Sequence, residues 1–551
     1  MARFFLTTAI YYPNAVPHLG TAYEVIGTDA IARWRRLRGH DVFFLSGNDD
    51  HAQKVAARAA EQGKAPQAYC DEMAKAFEEV WTSLGVEYDE YVRTASDRHR
   101  ESVRWFFDRV RERDRGRAEP LLYRGSYEGL YCVGCETYLR AKDLVGGRCP
   151  HHPDRVPQTL KEENWFFRLS AFAAELKRFL GENPGWLRPE SKRNEMLSIL
   201  EEGLQDVSIS RPRKAIPWGI PFPGDEQEQV VYVWFDALIN YVTAARLRED
   251  GSARPDEPGR TPGIWPADLH VVGKDIVRFH ALLWPAMLKA AGLEPPRGIS
   301  VHGFVNVGGA KMSKSQGSVV SPSELARVHG PDALRYFLLR EVAWGADGEF
   351  SLERFEERTA ADLANTLGNL LHRTLTMVEK YFGGVVPDVG GPDTMQPALV
   401  EFGRAVRALR RAAAEAWDRD EMAVALERTL EIARAANLHI DQAAPWKLMK
   451  APDGTSRRVV EFLVWSICDA LKSIAVLLSP AAPGKALEIW TSLGLEPREF
   501  EGVVLAGPGA GHSDAENLEE LHPDRAFESL DAVSVAGRTV RKGAPLFPRT
   551  E

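Results

Sequence analysis

The chain has 551 residues, 27% of them charged and 44% hydrophobic, which excludes a disordered, collagen-like or wholly membrane-embedded polypeptide. At roughly 150 residues per domain, about three or four domains with several sizeable cores are expected. The 69 Lys and Arg against 78 Asp and Glu leave a net charge of −9, so a nucleic-acid partner would have to be held by local basic patches against the global field.

The opening MARFFLTTAIYYPNAVPHLG passes into a Pro/Asn/His segment with no small-residue cleavage site, and FFLTTAI (4–10) reads as a buried strand. TAYEVIGTDAIARWRRLRG then has helical apolar spacing and closes at Gly39, and DVFFLSG is a second strand. Helices near 51–62 and 66–84 end at Gly63 and Gly85. This β-α-β-α opening predicts an α/β fold with a parallel doubly wound sheet, whose ligands sit at the strand C-terminal ends. VVYVWFD, ADLHVVG and GISVHGFVNV read as further strands, with a helical VRFHALLWPAMLKAAG between the last two, so the sheet resumes near 228. Between the halves, residues 120–225 hold three of the five cysteines and end in RPRKAIPWGIPFPGD, a separate small domain. After about 355 the strands vanish; ERTAADLANTLGNLLHRTL, LVEFGRAVRALRRAAAEAW and EMAVALERTLEIARAANLHI predict a helical bundle. Residues 506–525 are Gly-, Ser- and acid-rich and read as a linker. No window has the ~18 uncharged apolar residues of a membrane-crossing helix. Five cysteines in so long a chain are too few and too clustered for a disulfide framework, an odd count suits a reducing compartment, and the expected location is the cytoplasm.

Three motifs carry chemistry. Cys132-x2-Cys135, thirteen residues, then Cys149-x2-His152 supplies four ligands at zinc-knuckle spacing; His151 competes with His152 for the fourth place. Four protein ligands close the tetrahedron, so such a zinc is structural. His18-Leu19-Gly20-Thr21 lies between the first strand and its helix, where unpaired N–H groups and the dipole end receive a phosphate, Gly20 allows close approach and the imidazole donates to developing charge. Lys311-Met312-Ser313-Lys314-Ser315 follows a strand between Gly308, Gly309 and Gly317, a loop suited to clamping a polyphosphate.

The pairing of His-x-Gly with KMSKS resembles the signatures of class I aminoacyl-tRNA synthetases. TTAIYYPNAVPHLG, LYCVGCETY, SISRP, PWGIPFPGD, YVWFDALINY, HVVGKDIVRFH, HGFVNVGGAKMSKS, APWKL and the closing PLFPR narrow the resemblance to the methionyl-tRNA synthetase family over nearly the whole chain. It implies a Rossmann-type catalytic domain (1–119 and 226–300) split by a connective insertion with a zinc knuckle (120–225), a KMSKS-bearing stem-contact region (301–355), a helical anticodon-binding domain (356–505) and a C-terminal tail (506–551). The implied activity is ATP-dependent attachment of L-methionine to methionine tRNA, with one structural zinc and with magnesium accompanying ATP. Lacking the family's appended dimerisation domain, the chain is expected to be monomeric.

By the same resemblance, methionine lies against Ala9, Ile10 and Tyr12, Asp49 takes its ammonium, and Trp234, Ala237, Tyr241, Ile276 and His280 line the side-chain pocket. Aromatic rings give a thioether favourable sulfur contacts, and a pocket poor in hydrogen-bonding groups penalises polar side chains. ATP is assigned to His18, Gly20, Thr21, Gly273, Asp275, Lys311 and Lys314, of which His18, Lys311 and Lys314 stabilise the transition state. Asn369, Arg373 and Trp446 are assigned to the anticodon, and Arg404, Arg407, Arg410 and Arg411 form a candidate phosphate stripe. Two positions depart from the family: Thr21 replaces the second histidine of the first signature, and Ala52 stands where a glycine commonly follows His51. They keep open two alternatives, a paralogue adenylating methionine or a relative for a non-tRNA acceptor, and a weakened tRNA-binding protein.

Overall fold

In the computed structural model, which describes residues 2–132, 137–139, 144–150, 156–214, 216–245, 264–307, 310–311, 320–390, 397–450, 454–506 and 525–547, the first apolar run forms strand β1 (Arg3–Thr7). Helix α1 (Leu19–Leu37) follows and closes at Gly39, whose φ of 76° needs no Cβ. Strand β2 (Asp41–Asn48), helices α2 (Gln53–Glu61) and α3 (Pro66–Ser83), strand β3 (Glu90–Arg93) and helix α4 (Asp97–Asp114) complete the first half of the catalytic layer.

The insert begins with a long antiparallel pair, β4 (Leu122–Cys132) against β6 (Gln158–Phe167), flanked by β5 (Thr137–Leu139). Helix α5 (Ala173–Glu182), strand β7 (Leu187–Arg188) and helix α6 (Glu190–Glu202) precede β8 (Val207–Ser208), which completes a sheet of order β5-β4-β6-β8. Strands β9 (Ser210–Pro212) and β10 (Gln229–Val231) form an antiparallel ribbon. The expected strand VVYVWFD is therefore half right: it pairs only through Val231, and Val233–Leu238 is helix α7, followed by α8 (Asn240–Ala245). A short, continuously buried apolar run does not distinguish the two states by periodicity.

The main sheet resumes at β11 (Leu269–Gly273), not near 228. A π-helical turn over Phe279–Leu283 leads into α9 (Trp284–Ala291). The expected strand over 298–307 is two: β12 (Ile299–His302) stays in the main sheet, and β13 (Val305–Val307) pairs with β14 (Ala310–Lys311) and, after α10 (Pro322–His329) and α11 (Pro331–Glu341), with β15 (Gly348–Phe350). The chain breaks at Gly303, where a Cβ would meet the Ala346 carbonyl oxygen at 2.1 Å.

The main sheet is parallel throughout, in the order β3-β2-β1-β11-β12-β7, so the insert returns one strand to its edge. Its two faces follow the period of two: Leu6, Phe44 and Val271 enter one core, Phe5, Leu45 and Val272 the other. From Leu352 the described chain is mainly helical: α12 (Leu352–Arg358), a π-helical stretch Thr359–Gly368, α13 (Asn369–Phe382), α14 (Pro397–Asp418), α15 (Met422–Ala443), α16 (Pro445–Leu448), α17 (Gly454–Leu478), α18 (Pro483–Ser492) and α19 (Pro497–Glu501). The first core runs without interruption from Leu6 through α1 and α11 into this bundle.

Candidate active site

The strand order reverses between β1 and β11, and doubly wound sheets open a crevice beyond the strand ends at that point. Ala9, Ile10 and Tyr12 follow β1, His18 caps α1, Asp49 follows β2, and Gly273, Asp275 and Ile276 end β11 or follow it. Trp234 and Ala237 lie on α7, Tyr241 on α8, and His280 in the π-helical turn. The β1 and β2 ends are tied together: Tyr11 N–H donates to Gly47 O at 2.9 Å, and Asp49 N–H to Tyr11 O at 2.9 Å. Asp49 is itself buried.

One wall of the crevice is aromatic. Trp234 stacks on Phe279 with centroids 4.0 Å apart and meets Tyr12 edge-on at 6.3 Å. Tyr241 is 1% exposed and lies 2.8 Å from His280 Nε2, while the Ile276 carbonyl, 3.1 Å from His280 Nδ1, accepts that ring's only proton. Burial pushes the His280 pKa down to about 4, with the Ile276 carbonyl opposing, so the ring is neutral and Nε2 accepts the tyrosine proton. Burial likewise lowers the pKa of His270, whose ring is tilted against Tyr241 with centroids 4.1 Å apart. Tyr241, His280 and the Ile276 carbonyl satisfy one another, and a wall of such rings is suited to a thioether and poorly suited to a polar side chain.

At the start of α1, His18 Nδ1 accepts from the Thr21 backbone N–H at 3.2 Å, with the Thr21 hydroxyl at 3.3 Å. A nitrogen that accepts carries no proton, so the ring's hydrogen sits on Nε2. Gly273 keeps the turn after β11 open: a Cβ there would lie 2.8 Å from an Asp275 carboxylate oxygen. Ala52 is fully buried with Val55, Tyr69, Cys70 and Tyr232, a small core on which Tyr12, Trp218 and Trp234 pack.

Behind α7 lies a buried carboxylate. Asp236 accepts from His51 Nδ1 at 2.7 Å and from His99 Nε2 at 2.6 Å, and His99 Nδ1 lies 2.8 Å from Thr243 Oγ1. Burial alone would raise its pKa, but the two rings pull it down to about 2. His51 Nε2 is buried with no hydrogen-bond partner among the described residues, and its ring lies 5.0 Å from Trp218.

Of the expected zinc ligands, Cys132, at the end of β4, and Cys149, just after a turn through Gly146 and Gly147, are buried; Cys135, His151 and His152 lie outside the described residues. Lys311 stands on β14, and Lys314 lies outside them. Asn369, exposed, opens α13, and Arg373 one turn on donates to Asp441 of α15 at 2.6 Å. Trp446, 44% exposed, follows α15 on α16 after Ala444 turns the chain with φ 44°. The arginine stripe fails at Arg410, which is 3% exposed and held by both Asp531 oxygens at 2.6 and 2.9 Å.

The family described as "tRNA synthetases class I (M)" matches residues 4–156 and 152–375. A methionine–tRNA ligase of Thermosynechococcus vestitus is 42% identical over 507 residues, 91% of this chain and 92% of that one, and one of Synechocystis sp. is 42% identical over 556 residues, 100% and 98%. The chain belongs to the methionyl-tRNA synthetase family of class I. Methionyl-tRNA synthetase of Mycobacterium tuberculosis in complex with methionyl-adenylate superimposes with a TM-score of 0.87 at 35% identity, covering 100% of each chain; its free-state structure gives 0.81 at 33%.

Of the two synthetase signatures, the first opens α1 and the second enters at Lys311 and continues beyond the described residues. Sequence reasoning missed Glu24, His302, His51, His99 and Asp236. Asp236 adjoins Trp234 and Ala237 in YVWFDALINY, and that charge inside an apolar run was the available signal. Glu24 gave none, since its partner His302 is 278 residues away.

Proposed function

We propose that the chain activates L-methionine with ATP and transfers the methionyl group to methionine tRNA, releasing pyrophosphate and AMP. The observation that carries this reading is the meeting, at one switch point, of an aromatic wall, in which Tyr241 and a neutral His280 satisfy each other, and a histidine-capped helix N-terminus. The relatives' names and the methionyl-adenylate in the solved neighbour support the same chemistry.

A methionine carboxylate oxygen bonds to the ATP α-phosphorus in line as the bond to pyrophosphate breaks, so the protein's work is positioning and charge neutralisation. Asp49 takes the α-ammonium. Ala9, Ile10 and Tyr12 hold the backbone side of the amino acid, and Trp234, Ala237, Tyr241, Ile276 and His280 surround the thioether. Gly20 admits the phosphates to the start of α1, His18 donates from Nε2, Thr21 holds that ring, and Gly273 with Asp275 receives the ribose. Lys311 and Lys314 neutralise the leaving pyrophosphate. When bound with ATP, magnesium would supply shielding of the phosphate charge. The terminal 2′-hydroxyl of tRNA then takes the acyl group and AMP leaves, while Asn369, Arg373 and Trp446 read the anticodon, supported by an exposed indole able to stack on a splayed base.

Cys132, Cys135, Cys149 and His152 would hold one structural zinc; the fit is supported by the burial of Cys132 and Cys149, thiols that a small insert has little apolar reason to bury. The division at 119, 225, 300, 355 and 505 goes with this assignment of roles. We place the protein in the cytoplasm as a monomer, a reading supported by a cysteine count too low and uneven for a disulfide framework.

The test is charging of methionine tRNA with labelled L-methionine and ATP, with Thr21→His run in parallel. Robust charging by the native chain is expected. Pyrophosphate exchange without charging would transfer the reading to a non-tRNA acceptor, and neither reaction from folded, zinc-loaded protein would overturn it.

A further inference from the structure

Glu24, on α1, and His302, the last residue of β12, are each 5% exposed and form an ion pair beneath the crevice. One Glu24 oxygen accepts from the Ala9 backbone N–H at 3.2 Å and the other from His302 Nε2 at 2.6 Å; His302 Nδ1 donates to the Gly303 carbonyl at 2.7 Å. Both ring nitrogens face acceptors, so both carry protons and the ring is a cation. Tyr23 at 5.6 Å and Trp344 at 5.5 Å flank the ring. The backbone carbonyl of His302 accepts from Lys274 N–H at 3.0 Å, in the turn between Gly273 and Asp275. Three strand ends meet here: Ala9 after β1, the Gly273–Asp275 turn after β11, and Gly303, from which the chain runs to Lys311. That last corner cannot relax toward Ala346, whose backbone already fills the space of a Cβ.

We infer that Glu24 and His302 are positioning residues for adenylation, a relay that fixes the Ala9 amide and the Gly303 corner relative to each other, so that the methionine subsite and the lysine-bearing hairpin address the same phosphorus. The inference rests on the methionine-activating reading above. Asp275 and the Lys274–Asp347 pair are the charged groups near His302, and Tyr11 and Tyr241 are the titratable groups facing Glu24. Burial opposes the charged ring, but Glu24, then the Gly303 carbonyl and Asp275, hold its pKa above the ordinary histidine value. Its contribution is complete below that ordinary value and is lost as pH rises through the folded-state value.

The experiment is methionine-dependent pyrophosphate exchange as a function of pH for the native chain, Glu24→Gln and His302→Gln. A glutamine at 24 still accepts from Ala9 and donates to a neutral His302, so its pH optimum moves upward while activity near that optimum is retained. A glutamine at 302 cannot serve Glu24 and Gly303 together, and kcat falls roughly 10- to 100-fold with a raised KM for methionine. A native-like pH profile in Glu24→Gln, or an unchanged methionine KM in folded His302→Gln, overturns the relay. If His302→Gln does not fold, Glu24→Gln decides alone. Absence of exchange by the native chain would instead overturn the methionine-activating reading. Nitrogen NMR of labelled histidine, native minus His302→Gln, should show one ring doubly protonated at neutral pH; a neutral ring there also overturns the relay.

Discussion

Thr21 holds His18 through its backbone N–H and its hydroxyl, and the backbone group survives any substitution that keeps the helix. Thr21→Val should therefore lower adenylation by less than about tenfold, whereas His18→Ala, which removes the donor itself, should lower it ~10²- to 10³-fold. Single-turnover adenylate formation separates the two. Asp236 is a different kind of residue, a carboxylate whose loss strands two buried rings. Asp236→Asn should destabilise the fold by ~3–5 kcal/mol in denaturant titrations at pH 7. With a folded pKa of about 2 against an ordinary 3.8, the native carboxylate stabilises above 3.8, and that contribution should disappear as pH falls through about 2.

At the scale of elements, what could be read depended on whether the signal was local. Helices α1 to α3 were legible because apolar spacing and left-handed glycines at 39, 63 and 85 lie within one window of sequence. The first signature was legible for the same reason, since His18, Gly20 and Thr21 mark a strand-to-helix turn. Helix α7 was not, because a buried run looks alike in either state until His51 and His99 reach Asp236. The break at Gly303 was also hidden, being imposed by Ala346 from another segment. Gly303→Ala should cost about 1–3 kcal/mol through that clash, and should lower pyrophosphate exchange more than it lowers the melting temperature of the protein would explain. Thermal unfolding followed beside the exchange assay at a temperature where both proteins are folded checks this.

For the whole molecule, the telling residue is Arg335, fully buried on α11. It donates to Asp29 of α1 at 2.6 Å and to the carbonyls of Pro480 and Ala481, between α17 and α18, at 2.9 Å each. Burial opposes ionisation of Asp29, but Arg335 and Arg33 hold its pKa below the usual range. Arg335→Met leaves Asp29 only Arg33 and the Glu87 N–H as partners, deprives the Pro480 and Ala481 carbonyls of their donor, and should cost about 1.5–3 kcal/mol. Calorimetry should show one cooperative transition for sheet and bundle in the native chain, with a separate bundle transition emerging in the variant. Trp34 of α1 stacks on Trp417 of α14 at 6.0 Å, and Arg35 and Arg188 converge on Asp420 at 3.0 and 2.7 Å, so the two parts are locked at a second place. A molecule locked this way behaves as a caliper: under the anticodon role proposed for Trp446, its jaws at the crevice and at that indole are set to one gap, and it would gauge the span of a tRNA as well as its letters. A methionine tRNA lengthened by one base pair in the anticodon stem, its anticodon unchanged, should then be charged poorly by the native chain and be partly rescued in Arg335→Met.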